Sequence, residues 1–426
     1  MKRLLTVLAI LMLLMLSTSA FAQDDVTLDF WFNGSDQLNQ FNTTIIEAYQ
    51  AENPNVTIVY QPYPNENYKT SIQVAIASDS PPDLFFNWNG DDTGRFVREG
   101  HLLDLTPYAE EFGWGETISA AATDAFTFDG SLYGAPFSTE AKYFYYNLAI
   151  FEEQGLEIPE SFDDLLGICT SLRDAGIVPM AFGNQERWEG VHYMTIFNQK
   201  LVDQETMFSD YALASAEDDI FTDPNYVEAF QRLIDMRDAG CFADAVNSTT
   251  PSAALAQFFT EQTAMYYQGT WIISALRDND FEGQYGLFRM PPMVDDMAMG
   301  NQNFVLMGPV SVQVSAKTEH PDVAADFLNF YLTAESQLTM VEITARNPVN
   351  SAAIDEDLMS AEQLFVVNDL ATADGAVAWL DVVLENSVSE VYLNAIQEVY
   401  AGTLTPEDAV AAIREQALVA KAELGS

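Results

Sequence analysis

Short apolar strands alternate with amphipathic helices along most of this chain. No other feature restricts the fold as much, because that alternation belongs to sheets covered by helices, an α/β architecture. Val26 to Phe32 reads as a strand and Asn33-Gly34-Ser35-Asp36 as a polar break. A helix is predicted from about Thr44 to Glu52, where Thr44-Ile45-Ile46-Glu47 fits a capping box and Asn53-Pro54 ends it. Strands follow at Val56 to Tyr60 and Asp83 to Phe86, with helices at Tyr68 to Ala77 and Thr93 to Gly100 and a turn over Leu102 to Pro107. An aromatic-rich segment runs from Tyr143 to Asn147, and further strands are predicted at Ile177 to Phe182, Thr263 to Tyr267 and Val305 to Val314, between helices at Ser161 to Ala175, Tyr226 to Ala239, Ala253 to Glu261 and Pro321 to Leu332. Residues after Thr333 read as helices to the end. No tandem repeat of fixed period appears.

Lys2 and Arg3 precede an apolar run from Leu4 to Leu16, and Ala20-Phe21-Ala22 supplies an A-x-A cleavage site. Residues 1–22 therefore read as a signal peptide, too short to serve as a membrane span. A periplasmic or secreted protein is expected. No cysteine follows the apolar run, so no lipid anchor is expected at a cleaved N-terminus. The formal charge is −47, from 17 basic and 64 acidic residues. Such a surface repels nucleic acid and anionic lipid, and its simplest reading is solubility. Cys169 and Cys241 permit one disulfide or two buried thiols. Three histidines, His101, His192 and His320, stand far apart without metal-ligand spacing, so neither metal nor cofactor is expected.

Trp88, Trp188 and Trp271 each follow a predicted strand on a loop rich in amides or charges, and Trp31 ends a fourth strand. Ligands of open α/β sheets sit beyond the carboxyl ends of strands. A sugar ring has apolar C–H faces that stack on an aromatic ring, and a hydroxyl edge that suits Asn, Gln, Asp, Glu and Arg. Core packing is the alternative for any one of these tryptophans.

The order of several segments resembles the family 1 extracellular solute-binding proteins of ABC importers, the maltose-binding-like sugar binders. These segments include "LDFWFNGSDQ", "AYQAENPNVTIVYQ", "SPPDLFFNW", "GRFVREGHLLDLTPYAEE", "FFTEQTAMYYQGTWIISAL" and "EVYAGTLTPEDAVAAI". The resemblance implies a type II periplasmic-binding fold, with two α/β lobes joined by crossing segments near Thr139, Asn303 and Arg346. The first lobe would comprise residues 23–139 and 303–346, and the second 140–302 and 347–426. A monomer that closes on a small-molecule sugar and delivers it to a membrane ABC permease is implied, with no nucleic-acid partner.

Matched motif by motif, the resemblance places Asn33, Gly34 and Asp36 on the first lobe's wall, and Trp88, Asn89 and Asp92 on the stacking loop. Either Asp91 or Asp92 would be that loop's functional carboxylate. Glu140 matches the acid at the first crossing, with Tyr143 just beyond it. Gln185, Arg187 and Trp188 resemble a sugar-contacting loop. Trp271 matches a stacking aromatic beside Gln268, and Arg346 and Trp379 complete the set. The chain lacks the glycine pair that often precedes the strand after "MGNQN".

Other functions remain as alternatives. A secreted carbohydrate-active enzyme would also use aromatics and paired carboxylates, yet no G-x-S-x-G motif is present. A structural or adhesive surface protein fits poorly with compact, non-repeating patterning. Within the binders, a polyamine, glycerol phosphate or iron are the competing solutes.

Overall fold

The computed structural model of the chain describes residues 24–294 and 297–425. The expected signal peptide lies outside the described residues. Twelve strands occur among them: β1 (Val26–Asn33), β2 (Val56–Tyr63), β3 (Leu84–Trp88), β4 (Thr127–Phe128), β5 (Ser131–Leu132), β6 (Ala135–Asn147), β7 (Val178–Ala181), β8 (Thr263–Gly269), β9 (Tyr285–Phe288), β10 (Phe304–Val314), β11 (Asn347–Pro348) and β12 (Gly375–Val377). Ten of them form one sheet, ordered β2-β1-β3-β10-β6-β8-β7, with β9 and β11 also pairing β6 and β12 pairing β10.

The long strands β6 and β10 organise this sheet. Ala135 to Ala141 of β6 pairs antiparallel with β10, whereas Lys142 to Tyr146 pairs with β8 and Phe144 to Asn147 with β9. The two ends of β6 accordingly enter different cores. Ala135 and Phe137 pack with Phe30, Phe32, Phe86 and Tyr331 in the first. Phe144 joins a second core with Met180, Tyr193 and Tyr267, and on the opposite sheet face Tyr143 and Tyr145 join a third with Phe258 and Tyr285. Alternation along an extended strand causes the split between Phe144 and its two tyrosine neighbours. β10 divides likewise, with Val310, Val312 and Val314 in the first core and Leu306 in the second. The molecule is thus two-lobed, and its connecting strands run through both lobes. Thr139 of β6 faces both Pro309 of β10 and Asn347 of β11, so three chain segments pass side by side at one point.

Two local readings need correction. The first helix spans Asp36–Glu52, capped by Ser35, whose Oγ accepts from the Leu38 N–H at 3.3 Å. Thr44 lies inside this helix: Thr43 and Thr44 donate back to the carbonyls of Asn39 and Gln40, so their hydroxyls do not break the helix. The region after Thr333 is not wholly helical, because β11 and β12 use the free backbone edges offered by β6 and β10.

Cys169, on helix Phe162–Asp174, and Cys241, just after helix Asn225–Asp238, are bonded, with Cα atoms 4.8 Å apart. Arg173 reinforces the junction by donating to the carbonyls of Gly240 and Phe242. Closing a loop of 72 residues restricts the unfolded chain, worth about 4 kcal/mol in the chain-entropy model. Replacing both cysteines by serine is expected to lower unfolding stability by up to that amount. Intact mass without reductant, followed by denaturant unfolding, checks both the bond and its effect.

Candidate functional site

A cavity of about 240 Å³ opens where the lobes face each other. From the first lobe, the turn after β1 contributes Asn33, Gly34 and Ser35, helix Asn65–Ile76 contributes Lys69, and β3 ends in Trp88. From the second lobe come Trp188 at the start of helix Trp188–Leu201, Trp271 just after β8, and Trp379 immediately before helix Leu380–Val383. Trp271 meets Trp188 edge-on at 6.0 Å and Trp379 edge-on at 5.6 Å between centroids. His192 lies against Trp379 at 4.7 Å and Trp188 at 5.3 Å. These rings hold one another in place and present apolar faces in several orientations.

Charged groups edge this aromatic wall. Lys69 Nζ lies 3.0 Å from Asp381 Oδ2, an ion pair that crosses from one lobe to the other, and 5.2 Å from the centroid of Trp88. Glu140 is buried at the crossing. It accepts from Ser138 Oγ at 2.5 Å, from Thr270 Oγ1 at 2.7 Å and from the Arg346 guanidinium. These partners satisfy its charge and fix Arg346 at the cavity wall. Glu186 also lines the cavity and accepts from the Trp188 indole N–H at 3.2 Å.

A second cavity of about 240 Å³ adjoins the first. The two share Lys69, Trp88, Glu186, Trp188 and Asp381. Asp92, Arg95, Arg187 and Glu390 make its lining more polar. Burial pushes the Asp92 carboxyl up to about 7, against the opposing pull of the Lys69 and Arg95 cations. Arg187 holds a left-handed backbone, φ 66°, and its guanidinium pairs with Glu390 at 2.8 Å.

The structure thus brings Asn33, Gly34, Trp88, Glu140, Trp188, Trp271, Arg346 and Trp379 to the first cavity, and Asp92 and Arg187 to the second. Asp91 instead pairs with Arg98 at 2.6 Å. Five expected residues lie elsewhere. Asp36 is exposed in the first helical turn and Gln185 is exposed beyond the second-lobe wall. Asn89, on the loop just after β3, is buried, with its Oδ1 3.4 Å from where a Cβ on Gly308 would stand. Tyr143 points away to donate to Asp369 at 2.8 Å. Gln268 is buried and donates to Glu189 at 2.9 Å and to the Tyr266 hydroxyl at 2.8 Å. Trp31 packs on Tyr63 in the first lobe. Sequence reading missed Lys69, Glu186, His192 and Asp381. Only Asp381 carried a readable signal, an acid two residues after Trp379.

Comparison with known proteins fits this architecture. The model of the bacterial extracellular solute-binding proteins matches residues 44–366. The chain belongs to that family. An uncharacterised ABC transporter extracellular-binding protein of Pyrococcus horikoshii is 27% identical over 304 residues, covering 68% of this chain and 64% of the relative. The multiple sugar-binding protein of Streptococcus mutans is 22% identical over 369 residues, covering 84% and 82%. A solved chitin oligosaccharide binding protein superposes with a TM-score of 0.85 at 24% identity, over 94% of this chain and all of that one, a likeness of fold. Among the described residues, this solute-binding protein has no group of three His, Cys, Asp or Glu placed to hold a metal, and no helix long and apolar enough to cross a membrane.

The raised Asp92 pKa carries a linkage consequence. The native state keeps a proton that the unfolded chain releases near pH 4, so this contribution to stability is lost as pH rises from about 4 through about 7. Asp92→Asn is expected to lack that decline and to exceed wild type above pH 7 by about 1–2 kcal/mol, after allowance for solvent at the open chamber. Denaturant unfolding of both proteins at pH 4, 6 and 8 measures the difference.

Proposed function

We propose that this protein is the extracytoplasmic receptor of an ABC importer for a mono- or oligosaccharide, closing two lobes on the sugar and releasing it unaltered to the permease. The observation that carries the reading is the wall of Trp88, Trp188, Trp271 and Trp379 edged by charged groups at the lobe boundary. Ring faces suit C–H faces of a sugar, and Asp381, Glu186, Lys69 and Arg346 suit its hydroxyl edge. The names of the Streptococcus and chitin-oligosaccharide proteins point the same way. Two adjoining chambers favour a ligand of more than one ring. In this reading the lobes divide at residues 139, 303 and 346, the 1–22 signal peptide is removed on export, and the mature protein works as a periplasmic or secreted monomer.

Binding energy would act on a hinge equilibrium: a ligand touching both lobes stabilises the closed form by its differential affinity for that form. Gly90 is consistent with such closure. It adopts φ 72°, and a Cβ there would stand 2.6 Å from the Val382 carbonyl oxygen across the cleft.

Ligand-stripped protein is to be screened by thermal shift against maltotriose, xylotriose, chitotriose and raffinose, with each sugar checked afterwards for conversion. A saccharide at about 1,000 times its dissociation constant adds about 4 kcal/mol of stability. Trp88→Ala and Trp271→Ala are each expected to weaken its binding about ten-fold or more through lost stacking and burial, with folding retained. Steady product formation would instead identify an enzyme, and unaltered affinity in both variants would remove the tryptophan wall from the site.

A further inference from the structure

Behind the tryptophan wall lies a buried cation that the sugar-binding reading does not use. Lys142 follows the crossing on β6, only 3% exposed. Its ammonium stands 5.3 Å from the Trp188 centroid and 5.1 Å from that of Tyr267. Its Nζ is 2.8 Å from His192 Nδ1. On the other side of the ring, His192 Nε2 is 3.8 Å from Asp381 Oδ1. The Asp381 side chain is 4% exposed; the residue borders the cavity, and its Oδ1, buried in this arrangement, has no hydrogen-bond partner among the described residues.

An ammonium group only donates, so His192 Nδ1 must accept from it. Burial and the cationic charges of Lys142 and Lys69 hold His192 well below the usual imidazole range, so the ring is neutral. A neutral ring that accepts at Nδ1 carries its proton on Nε2. An N–H donor is thereby set beside an unpartnered carboxylate oxygen, in two residues that line the cavity. Their 3.8 Å separation is too long for a mutual hydrogen bond, and a small rotation of either side chain on ligand binding would admit one oxygen at about 2.8 Å from each. A sugar hydroxyl both accepts and donates, which is what this pair requires.

We propose that Lys142 is a positioning residue: it locks His192 in the Nε2–H tautomer, so that His192 and Asp381 together hold one hydroxyl of the bound saccharide at the lobe boundary. The hydroxyl part rests on the sugar-receptor reading; the tautomer part does not. The lock has a pH window. Lys142 faces His192, Glu189 and Trp188 on one helix, Asp381 on another, and Tyr267 on β8. Desolvation pulls it down to about 7, while Glu189 and Asp381 pull it up, and Glu189 is itself raised to about 7. Above that range the amine can accept a hydrogen bond, and the tautomer is released.

The test is a ring-nitrogen spectrum of 15N-histidine-labelled, ligand-free protein at pH 6 and pH 9, with His192 assigned through His192→Phe. Wild type is expected to show Nε2–H alone at pH 6 and an Nδ1–H population at pH 9. Lys142→Met, which leaves Nδ1 without its donor, is expected to show both tautomers at both pH values, and Lys142→Arg, whose charge does not titrate, Nε2–H at both. Should Lys142→Met fail to fold, wild type and Lys142→Arg still decide. An Nδ1–H ring in wild type at pH 6, or a tautomer indifferent to pH and to both substitutions, overturns the assignment. With maltotriose, xylotriose, chitotriose and raffinose as probes, His192→Phe is expected to bind about ten-fold more weakly than wild type at pH 6, and His192→Gln, which keeps a donor near the Nε2 position, less than three-fold more weakly. Equal affinity of His192→Phe and wild type overturns the hydroxyl contact. If wild type binds none of the four, the sugar reading and that contact fail together, and the spectra still settle the role of Lys142.

Discussion

The antiparallel pairing of β6 with β10 is the constraint on which the rest of the molecule depends. In each strand, residues at one end are buried in the first lobe and residues at the other in the second. The lobes therefore cannot separate without breaking backbone hydrogen bonds, and three segments run side by side at Thr139, Pro309 and Asn347. A register irregularity between Val310 and Ser311 lies next to that point. Bulges of this kind locally loosen a ladder and increase its twist, so the sheet is least regular where a hinge would need compliance. Glu140 and Arg346 are paired at the same crossing. A buried ion pair of this sort contributes little net stability but is costly to break, which ties the position of the guanidinium to the geometry of the crossing.

The site inherits its composition from this arrangement. Strand ends and helix starts converge from both lobes, and each delivers a tryptophan together with polar groups. The first lobe supplies one ring, Trp88, and the second supplies three. The rings of the second lobe support one another through edge contacts and through His192, so that surface is preorganised without a ligand. The Lys69–Asp381 pair spans the lobes. In a chain of net charge −47, a lysine held between a carboxylate and a tryptophan face locally offsets the repulsion between the acidic surfaces that meet there.

Much of the fold was legible because apolar periodicity reports sheets and helices directly. The strand–helix alternation and the strand-end tryptophans are consequences of local pattern. Boundaries were less legible. Thr44 to Glu47 has the letters of a capping box inside a continuous helix, because Ser35 had already supplied the cap. Strands β11 and β12 are too short to show a period, and they exist because β6 and β10 leave edges open to them. The site divides in the same way. Three of the four cavity-lining tryptophans, Trp88, Trp188 and Trp271, stood out by their size and strand-end positions, whereas Trp379 came only from the family resemblance and Trp31, which shared the strand-end signal, packs on Tyr63. Lys69 and His192 did not stand out, since their role arises from contacts distant in sequence, Lys69 with Asp381 across 312 positions and His192 with Lys142 across 50, and nothing near either residue announces it. Conversely, Gln268 and Tyr143 looked like ligand residues by position, but alternation along β8 and β6 turns their side chains to Glu189 and Asp369.

That last contrast explains why the second lobe can hold titratable groups so close to an apolar wall. Glu189 is surrounded by donors from Gly183, Tyr266 and Gln268, and the same burial that raises its pKa lowers that of Lys142. The two groups face each other through the floor of the site, so each moderates the other's desolvation. Gln268 and Tyr266 thus act behind the wall: by satisfying Glu189 they allow a compensating charge to persist beneath the tryptophans. Without that charge, Lys142 would lose its proton more readily, and the imidazole above it would lose the donor that sets its orientation. The polarity of the cavity surface is in this sense set one layer deeper than the residues that line it.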